Sequence, residues 1–420
     1  MTDVEIDLET YDPMETSIQQ CPFPHYQALR EQAPVYHHPK TGMYFVSRHD
    51  TVNQVLRDVE TFSSRMANTS SFLDPELVAK VKAITDKGWP RVETMLTIDP
   101  PLQTRYRKLV SRAFSARRIS SLEPKVREIA NALLDRFPMS GRVDFHQAFS
   151  VALPVEVIAH ALNMPPGNEA NIKKWSDDAV ATIGTSLTEE QLLDAIQGTL
   201  DAQMFWHDLY EQRLAEPVDD ILSELAHADF EDLDDNVRKL TFSEIYSIIT
   251  QLMVAGNETT TKFFNETMRL LIENPDWWDR IQADPSTIPA VVEEGLRLSS
   301  PNQGLFRVVT KDTELEGVNI PEGSRVWVMF GSANRDEAVF PSSDVFDADR
   351  ENLKDHLAFG KGHHFCIGAP LSRLEGRVGL EVLTARIESA AFAPDNTFEY
   401  EPSFILRGLK RLDLDIVRSR

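Results

Sequence analysis

Cys366 is one of only two cysteines in the 420-residue chain, and its setting is suited to chemistry. The run Phe359-Gly360-Lys361-Gly362-His363-His364-Phe365-Cys366-Ile367-Gly368-Ala369 leads directly into an apolar-periodic helix expected over Leu371 to Ile387. Glycines on both sides of the cysteine permit tight backbone paths with positive φ, as a loop wrapping a flat ligand requires. A thiol near a helix N-terminus is also biased toward thiolate by the helix dipole. Two other readings fit these residues: an inert buried cysteine, or a zinc site built from His356, His363, His364 and Cys366. Structural zinc usually draws on two clusters of short Cys or His spacings, and this chain has no second one.

Four further groups stand out. Ala255-Gly256-Asn257-Glu258-Thr259-Thr260 lies inside a helix expected over Phe242 to Ile272. A mid-helix Gly costs about 1 kcal/mol relative to Ala and Thr side chains can back-bond and bend a helix, so alone this reads as a kinked core helix. Glu294 and Arg297 share a helical face, by itself an ordinary ion pair worth a few tenths of a kcal/mol. Arg307 follows in the strand-like Gly304-Leu305-Phe306-Arg307-Val308. The run Asp99-Pro100-Pro101-Leu102-Gln103-Thr104-Arg105-Tyr106-Arg107 opens another helix.

The elements that must position these residues are mainly helical. Three-and-four apolar spacing predicts helices over Val126 to Phe137, Val155 to Leu162, Glu189 to Glu211, Phe242 to Ile272 and Trp277 to Ala283. Strands are expected at Val35 to His37 and Met43 to Ser47, and between Val308 and Met329 with turns at Glu316-Gly317 and Pro321-Glu322-Gly323; a β-like tail runs from Glu399 to Val417. No repeat or low-complexity tract interrupts the chain, so residues 1–420 are read as one domain, mainly α with small β-sheets (α+β).

Composition limits the function. A formal net charge of −23 argues against nucleic-acid binding, which rewards clustered Lys and Arg. No stretch of about 18 apolar residues offers a membrane span, and the first residues lack the basic and apolar regions of a signal peptide. With so few cysteines, a reducing, cytoplasmic setting is expected.

The cysteine loop resembles the heme-binding signature of the cytochrome P-450 family, Phe-x-x-Gly-x-(Arg or His)-x-Cys-x-Gly, at every fixed position. Glu294-Gly295-Leu296-Arg297 resembles the family's Glu-x-x-Arg motif, with Arg350 as its usual partner in a buried structural triad. Residues 255–260 are similar to the family's oxygen-binding groove. The resemblance spans positions 99 to 368 in the family's order, and the tail Phe404 to Leu409 is similar to its C-terminal hairpin. It implies the cytochrome P-450 fold, with heme b (iron protoporphyrin IX) between the groove helix and the cysteine loop. Cys366 would be the axial iron ligand, Phe359 would pack on the proximal heme face, and Gly368, Ala255 and Gly256 would border the heme. His364, Arg307 and Arg107 would contact propionates, with Gln103 where the family has a His. Glu258 and Thr259 would deliver protons for oxygen activation.

The implied activity is monooxygenation of a mainly hydrophobic small molecule (terpenoid, steroid, fatty acid or aromatic) by O2. Peroxide-driven peroxygenation and non-catalytic heme binding or sensing are the alternatives. Electrons would come from a ferredoxin and ferredoxin reductase, docked on a basic face of Arg105, Lys108, Arg112 and Lys361. A bacterial, monomeric protein is expected. Phe72, Trp89, Val254, Leu305, Ile405 and Leu406 are candidate pocket walls, and the amides of Gln251 and Gln303 are expected to orient a polar group of the substrate.

Overall fold

The computed structural model of the chain describes residues 6–65, 75–181 and 187–419. Its principal helices are α1 (Leu102–Ala113), α2 (Ala116–Asp135), α3 (Ala152–Ala161), α4 (Glu169–Ala181), α5 (Glu189–Ala215), α6 (Phe242–Glu273), α7 (Ile288–Ser299) and α8 (Ala369–Arg386). The 32 residues of α6 span about 48 Å at the α-helical rise. A capping box starts it: Thr241 Oγ1 accepts from the Glu244 N–H, and the Glu244 carboxylate accepts from the Thr241 N–H. Its second half is apolar or buried almost all round, as suits a helix enclosed by neighbours.

Two helices close on that half because glycines face it. A Cβ added at Gly379 of α8 would lie 2.7 Å from the Phe264 ring, and one at Gly295 of α7 would lie 2.6 Å from Thr267 Oγ1. Phe263 and Phe264 join Val292, Leu296 and Val378 in the largest apolar cluster, which anchors the helix that follows Cys366.

The strands are β1 (Val35–His37), β2 (Tyr44–Val46), β3 (Phe62–Ser63), β4 (Ser140–Asp144), β5 (Leu305–Val309), β6 (Arg325–Val328), β7 (Ile387–Phe392) and β8 (Asp413–Arg418). One sheet has the order β1-β2-β6-β5-β3, with β2 and β6 parallel and the other pairs antiparallel. In it Val326 faces Arg307 across β6 and β5, which fixes the height of that arginine. The turn expected at Glu316-Gly317 closes a short hairpin between Thr313–Leu315 and Val318–Ile320 with φ of 51° and 79°, the two positive values a tight two-residue hairpin turn needs. A second sheet, β7-β8-β4, includes a strand the sequence reading did not anticipate. The residues Ser-Gly-Arg-Val-Asp of β4 contain a single large apolar side chain, so alternation gave no signal. A π-helical turn at His146–Val151 was likewise not read.

Candidate active site

A cavity of about 260 Å³ lies between α6 and the cysteine loop. Ala255, Gly256, Thr259 and Thr260 line it from α6; Phe359, His364, Cys366 and Gly368 line it from the loop; Arg107, Leu305 and Arg307 close its side. Sequence positions 107 to 368 thus converge on one space.

The loop has the backbone its glycines promised. Gly360 and Gly362 have φ of 65° and 68°, and a Cβ on Gly362 would lie 2.6 Å from the Leu56 carbonyl oxygen. The Cys366 N–H donates to the Phe359 carbonyl (2.9 Å), which folds the loop back on itself. Burial pushes the Cys366 thiol up, against the Gly368 and Ala369 backbone N–H groups and the Arg107 charge, which favour thiolate. Arg373 stacks over the Phe359 ring at 4.6 Å and is held by Glu293 through two contacts of 2.6 and 2.8 Å; Glu293 also meets His356 at 3.1 Å.

The side of the cavity near Arg307 gathers basic residues, with Asp99 as the nearby anion. Arg307 is buried, and burial lowers its pKa to about 10 even with Asp99 nearby. Its guanidinium donates to the Phe306 carbonyl at 2.7 Å, with no carboxylate in contact among the described residues. Burial and the charge of Arg307 push His364 down to about 4. Its Nε2 lies 2.9 Å from Ser64 Oγ. Asp99 accepts from the Ser64 N–H at 2.7 Å and the Ser63 hydroxyl at 2.5 Å. A buried guanidinium without a carboxylate is the setting a bound anion completes.

Several expected site residues stand elsewhere. Gln103 is buried, and its Nε2 donates to the His363 carbonyl (2.8 Å), so it braces α1 to the cysteine loop and is absent from the cavity wall. Gln251 lines the cavity, but its amide is engaged by residues 94–96 and Ser247. Gln303 turns away: its Nε2 donates to the Ser300 carbonyl (2.6 Å), and a Cβ on Gly331 would touch its Oε1 at 2.3 Å. On that extended segment it is the neighbour, Asn302, that lines the cavity. Trp89 stacks on His207 at 4.2 Å instead of forming the wall. Val254, Ile405 and Leu406 are also absent from the wall, Leu406 pairing by backbone with Asn302. Phe72 lies outside the described residues.

Glu258 and Thr259 separate. The Thr259 hydroxyl faces the cavity and donates to the Ala255 carbonyl at 2.7 Å. Glu258 is buried away from it, 2.8 Å from Lys262 and 3.4 Å from Lys173 of α4. Burial opposes its ionisation, but the Lys262 and Lys173 charges outweigh that and hold it near 2. Sequence reading missed both lysines. Lys262 stands four residues after Glu258 and was legible from helical spacing. Lys173 lies 85 positions away and was not.

Beneath the loop, Arg297 binds Glu294 through two contacts of 2.7 Å, and Arg350 Nε reaches the same carboxylate at 3.2 Å. Arg297 also donates to the Asn334 and Ser343 carbonyls, and Arg350 to those of Pro341, Ser342 and Val345. These three residues pin α7 to the segment that carries the chain toward the cysteine loop. On the outer face, Lys108, Arg112, Arg117 and Lys361 have no carboxylate in contact among the described residues, whereas Arg105 is bound by Asp235 (2.9 Å) and Arg118 by Asp219 and Glu224.

A mainly helical fold with a cysteine loop opposite a groove helix defines a class, and comparison with known proteins gives its name. The family model for cytochrome P-450 matches residues 190–386. The chain is 35% identical over 402 residues to cytochrome P-450 109 of Bacillus spizizenii, covering 94% of this chain and 92% of that one. It is 34% identical to the 6-deoxyerythronolide B hydroxylase of Saccharopolyspora erythraea, covering 92% and 94%. The solved structure of a cytochrome P-450 from Chondromyces apiculatus superposes with a TM-score of 0.83 at 34% identity, covering 98% of this chain and all of the other. This chain belongs to the cytochrome P-450 family; it is a heme-thiolate monooxygenase whose cofactor is heme b. Among the described residues no helix is long and apolar enough to cross a membrane.

Proposed function

We propose that the protein inserts one oxygen atom of O2 into a mainly hydrophobic small organic substrate, with electrons supplied by a ferredoxin and its reductase. What carries this reading is the meeting of Cys366, Thr259 and the basic residues Arg107, Arg307 and His364 around one largely apolar cavity. In it, Cys366 would hold the heme iron and Arg107, Arg307 and His364 would hold its propionates. Heme bound there supplies a thiolate-ligated iron at which O2 is reduced, one atom entering the substrate and the other leaving as water.

The chain's own residues govern substrate and protons. Met95, Phe114, Ile158, Leu252 and Leu305 exclude water and hold apolar carbon against the groove. Asn302 takes the orienting part expected of Gln303: its Oδ1 accepts from the Gly304 N–H at 3.1 Å, which leaves its amide N–H groups to donate to a substrate oxygen. Thr259 places its hydroxyl oxygen on the cavity side of α6, its proton held by the Ala255 carbonyl. Glu258, kept ionised by Lys262 and Lys173, would accept protons arriving from the Lys173 and Asp177 pair of α4 and pass them toward the groove. Lys108, Arg112 and Lys361 steer an acidic electron donor to the face outside the cysteine loop, a role for which Arg105 is already neutralised. A cytoplasmic location and a single domain over 1–420 complete the reading.

The test is spectroscopic and then catalytic. Reduced protein under carbon monoxide is expected to show the red-shifted thiolate band, and Cys366→Ser to lose it. Retention of that band in Cys366→Ser would overturn the assignment of the ligand. Asn302→Leu is expected to scatter the regiochemistry of oxygen-bearing substrates; unchanged regiochemistry would remove Asn302 from this scheme.

A further inference from the structure

Residues 88–96 form a strap that crosses α5 and α6 and is bound on both. On α5, Gln203 accepts from the Trp89 N–H (2.9 Å) and donates to the Trp89 carbonyl (3.2 Å). Gly88 leaves room for that grip, since a Cβ there would lie 2.1 Å from Gln203 Oε1. On α6, Gln251 Nε2 donates to Thr94 Oγ1 (2.7 Å) and Ser247 Oγ (3.2 Å), while its Oε1 accepts from the Leu96 N–H (3.2 Å). Ser247 Oγ donates to the Val92 carbonyl (2.9 Å) and lies 3.0 Å from Thr94 Oγ1.

This grip is partly buried and directional. Thr94 is fully buried, and Met95, between the two gripped residues, lines the cavity. Leu96 lines the cavity while remaining 49% exposed to solvent, so it stands at the boundary between the two. Gln251 is a polar side chain on a largely apolar wall, yet both its amide oxygen and its amide nitrogen are spent on the strap and its Ser247 anchor.

We propose that Gln251 is a specificity-determining positioning residue. It acts through residues 92–96, holding Met95 and Leu96 as one wall of the substrate cavity and so setting the size of ligand admitted and its rate of entry. The proposal rests on reading this cavity as the substrate cavity above the heme.

The test uses the full-length, heme-loaded protein with imidazole and 1-alkylimidazoles of increasing chain length, their entry followed by the Soret shift in stopped flow. Gln251→Leu is expected to speed entry of the long-chain probes at least tenfold and that of imidazole less than twofold. Thr94→Val removes the same grip from the strap side. It should reproduce the effect, and the double variant should exceed neither single one, since both act on one contact. Amide hydrogen exchange at Leu96, which does not depend on the heme, should accelerate in both variants. Unchanged Leu96 exchange would overturn the clamp, and faster exchange with an unchanged dependence of entry on probe length would overturn its role in selection. Wild-type protein that gave no imidazole shift would sink the heme reading, while Leu96 exchange would still decide whether Gln251 holds the strap.

Discussion

Glu258 sits one residue before a cavity-lining threonine but turns toward two lysines, and that turn decides how its chemistry is controlled. Lys262 is only 10% exposed, so its contact with Glu258 is weakly screened and dominates the carboxylate's charge state. Replacing Lys262 with Met leaves Lys173 alone to compensate a buried carboxylate. Removing one partner of a buried pair costs on the order of 3 kcal/mol, here tempered by the second lysine. Lys262→Met is expected to lower the melting temperature by several degrees and to move the acid limb of the pH–rate profile upward. It should also divert a several-fold larger share of electrons to released peroxide, measured as peroxide formed per NADPH consumed. A pH profile coincident with that of the wild type would show that Lys262 does not hold Glu258. The sequence placed an acid beside an alcohol at this point; which way the acid faces depended on α4, whose lysine arrives from 85 residues away.

At the scale of elements, the triad of Glu294, Arg297 and Arg350 ties α7 to residues 334–345, and its members are fully or almost fully buried. Arg297 donates to both Glu294 oxygens and to the Asn334, Ser343 and Val345 carbonyls of that segment, a planar fork that Lys cannot copy. Arg297→Lys is therefore expected to destabilise by about 3 to 5 kcal/mol, the range for breaking a buried ion pair, and to yield protein with poor heme retention. The measurements are thermal melting and the Soret absorbance per unit protein; a melting temperature within a degree of the wild type would contradict the account. Packing of α8 on α6 makes a parallel point. Gly379→Val would drive a branched side chain into Phe264 and is expected to cost about 1 to 3 kcal/mol by overpacking. Helices α5, α6 and α8 were legible because their apolar spacing extends over several turns. Strand β4 was not, because its pairing partner β8 supplies most of the reason for it to be extended.

For the whole molecule, charge is the governing quantity. A net charge of −23 would repel an acidic donor at long range, so the docking proposed above would rest on the local cations Lys108, Arg112 and Lys361. Arg112→Glu is expected to lower the second-order reduction rate at least tenfold at low ionic strength, with the difference shrinking as salt screens it. Equal rates at low salt would place the donor elsewhere. Acid stability has a site as well. Burial works against ionisation of Glu293, but Arg373 and His356 hold its pKa down to about 2. Because the unfolded carboxylate takes up its proton first, near its ordinary value, this contribution is complete above that value and fades as the pH falls toward 2. Glu293→Gln should flatten the stability curve between about pH 4.5 and 2, by roughly a few kcal/mol at most, as followed by urea melts across that window.

The sequence by itself determined the cysteine loop, the groove helix and the ion pair of α7, because in each the chemistry depends on residues within about ten positions of one another. Backbone conformation and helical periodicity are local properties, so Gly360, Gly362, Cys366 and the spacing of Glu294 and Arg297 could be read directly. Tertiary structure decided where the polar side chains point. Gln103, Gln251 and Gln303 are the same residue type with the same donors and acceptors; spacing gave Gln251 and Gln303 a place at the cavity, and the family resemblance gave Gln103 one beside a propionate. Buried amides must find partners, and the partners came from the cysteine loop, from residues 92–96 and from the end of α7. The cysteine loop was therefore legible from one short stretch of the chain, whereas the polar side chains around the cavity were placed by hydrogen bonds between segments that sequence order keeps far apart.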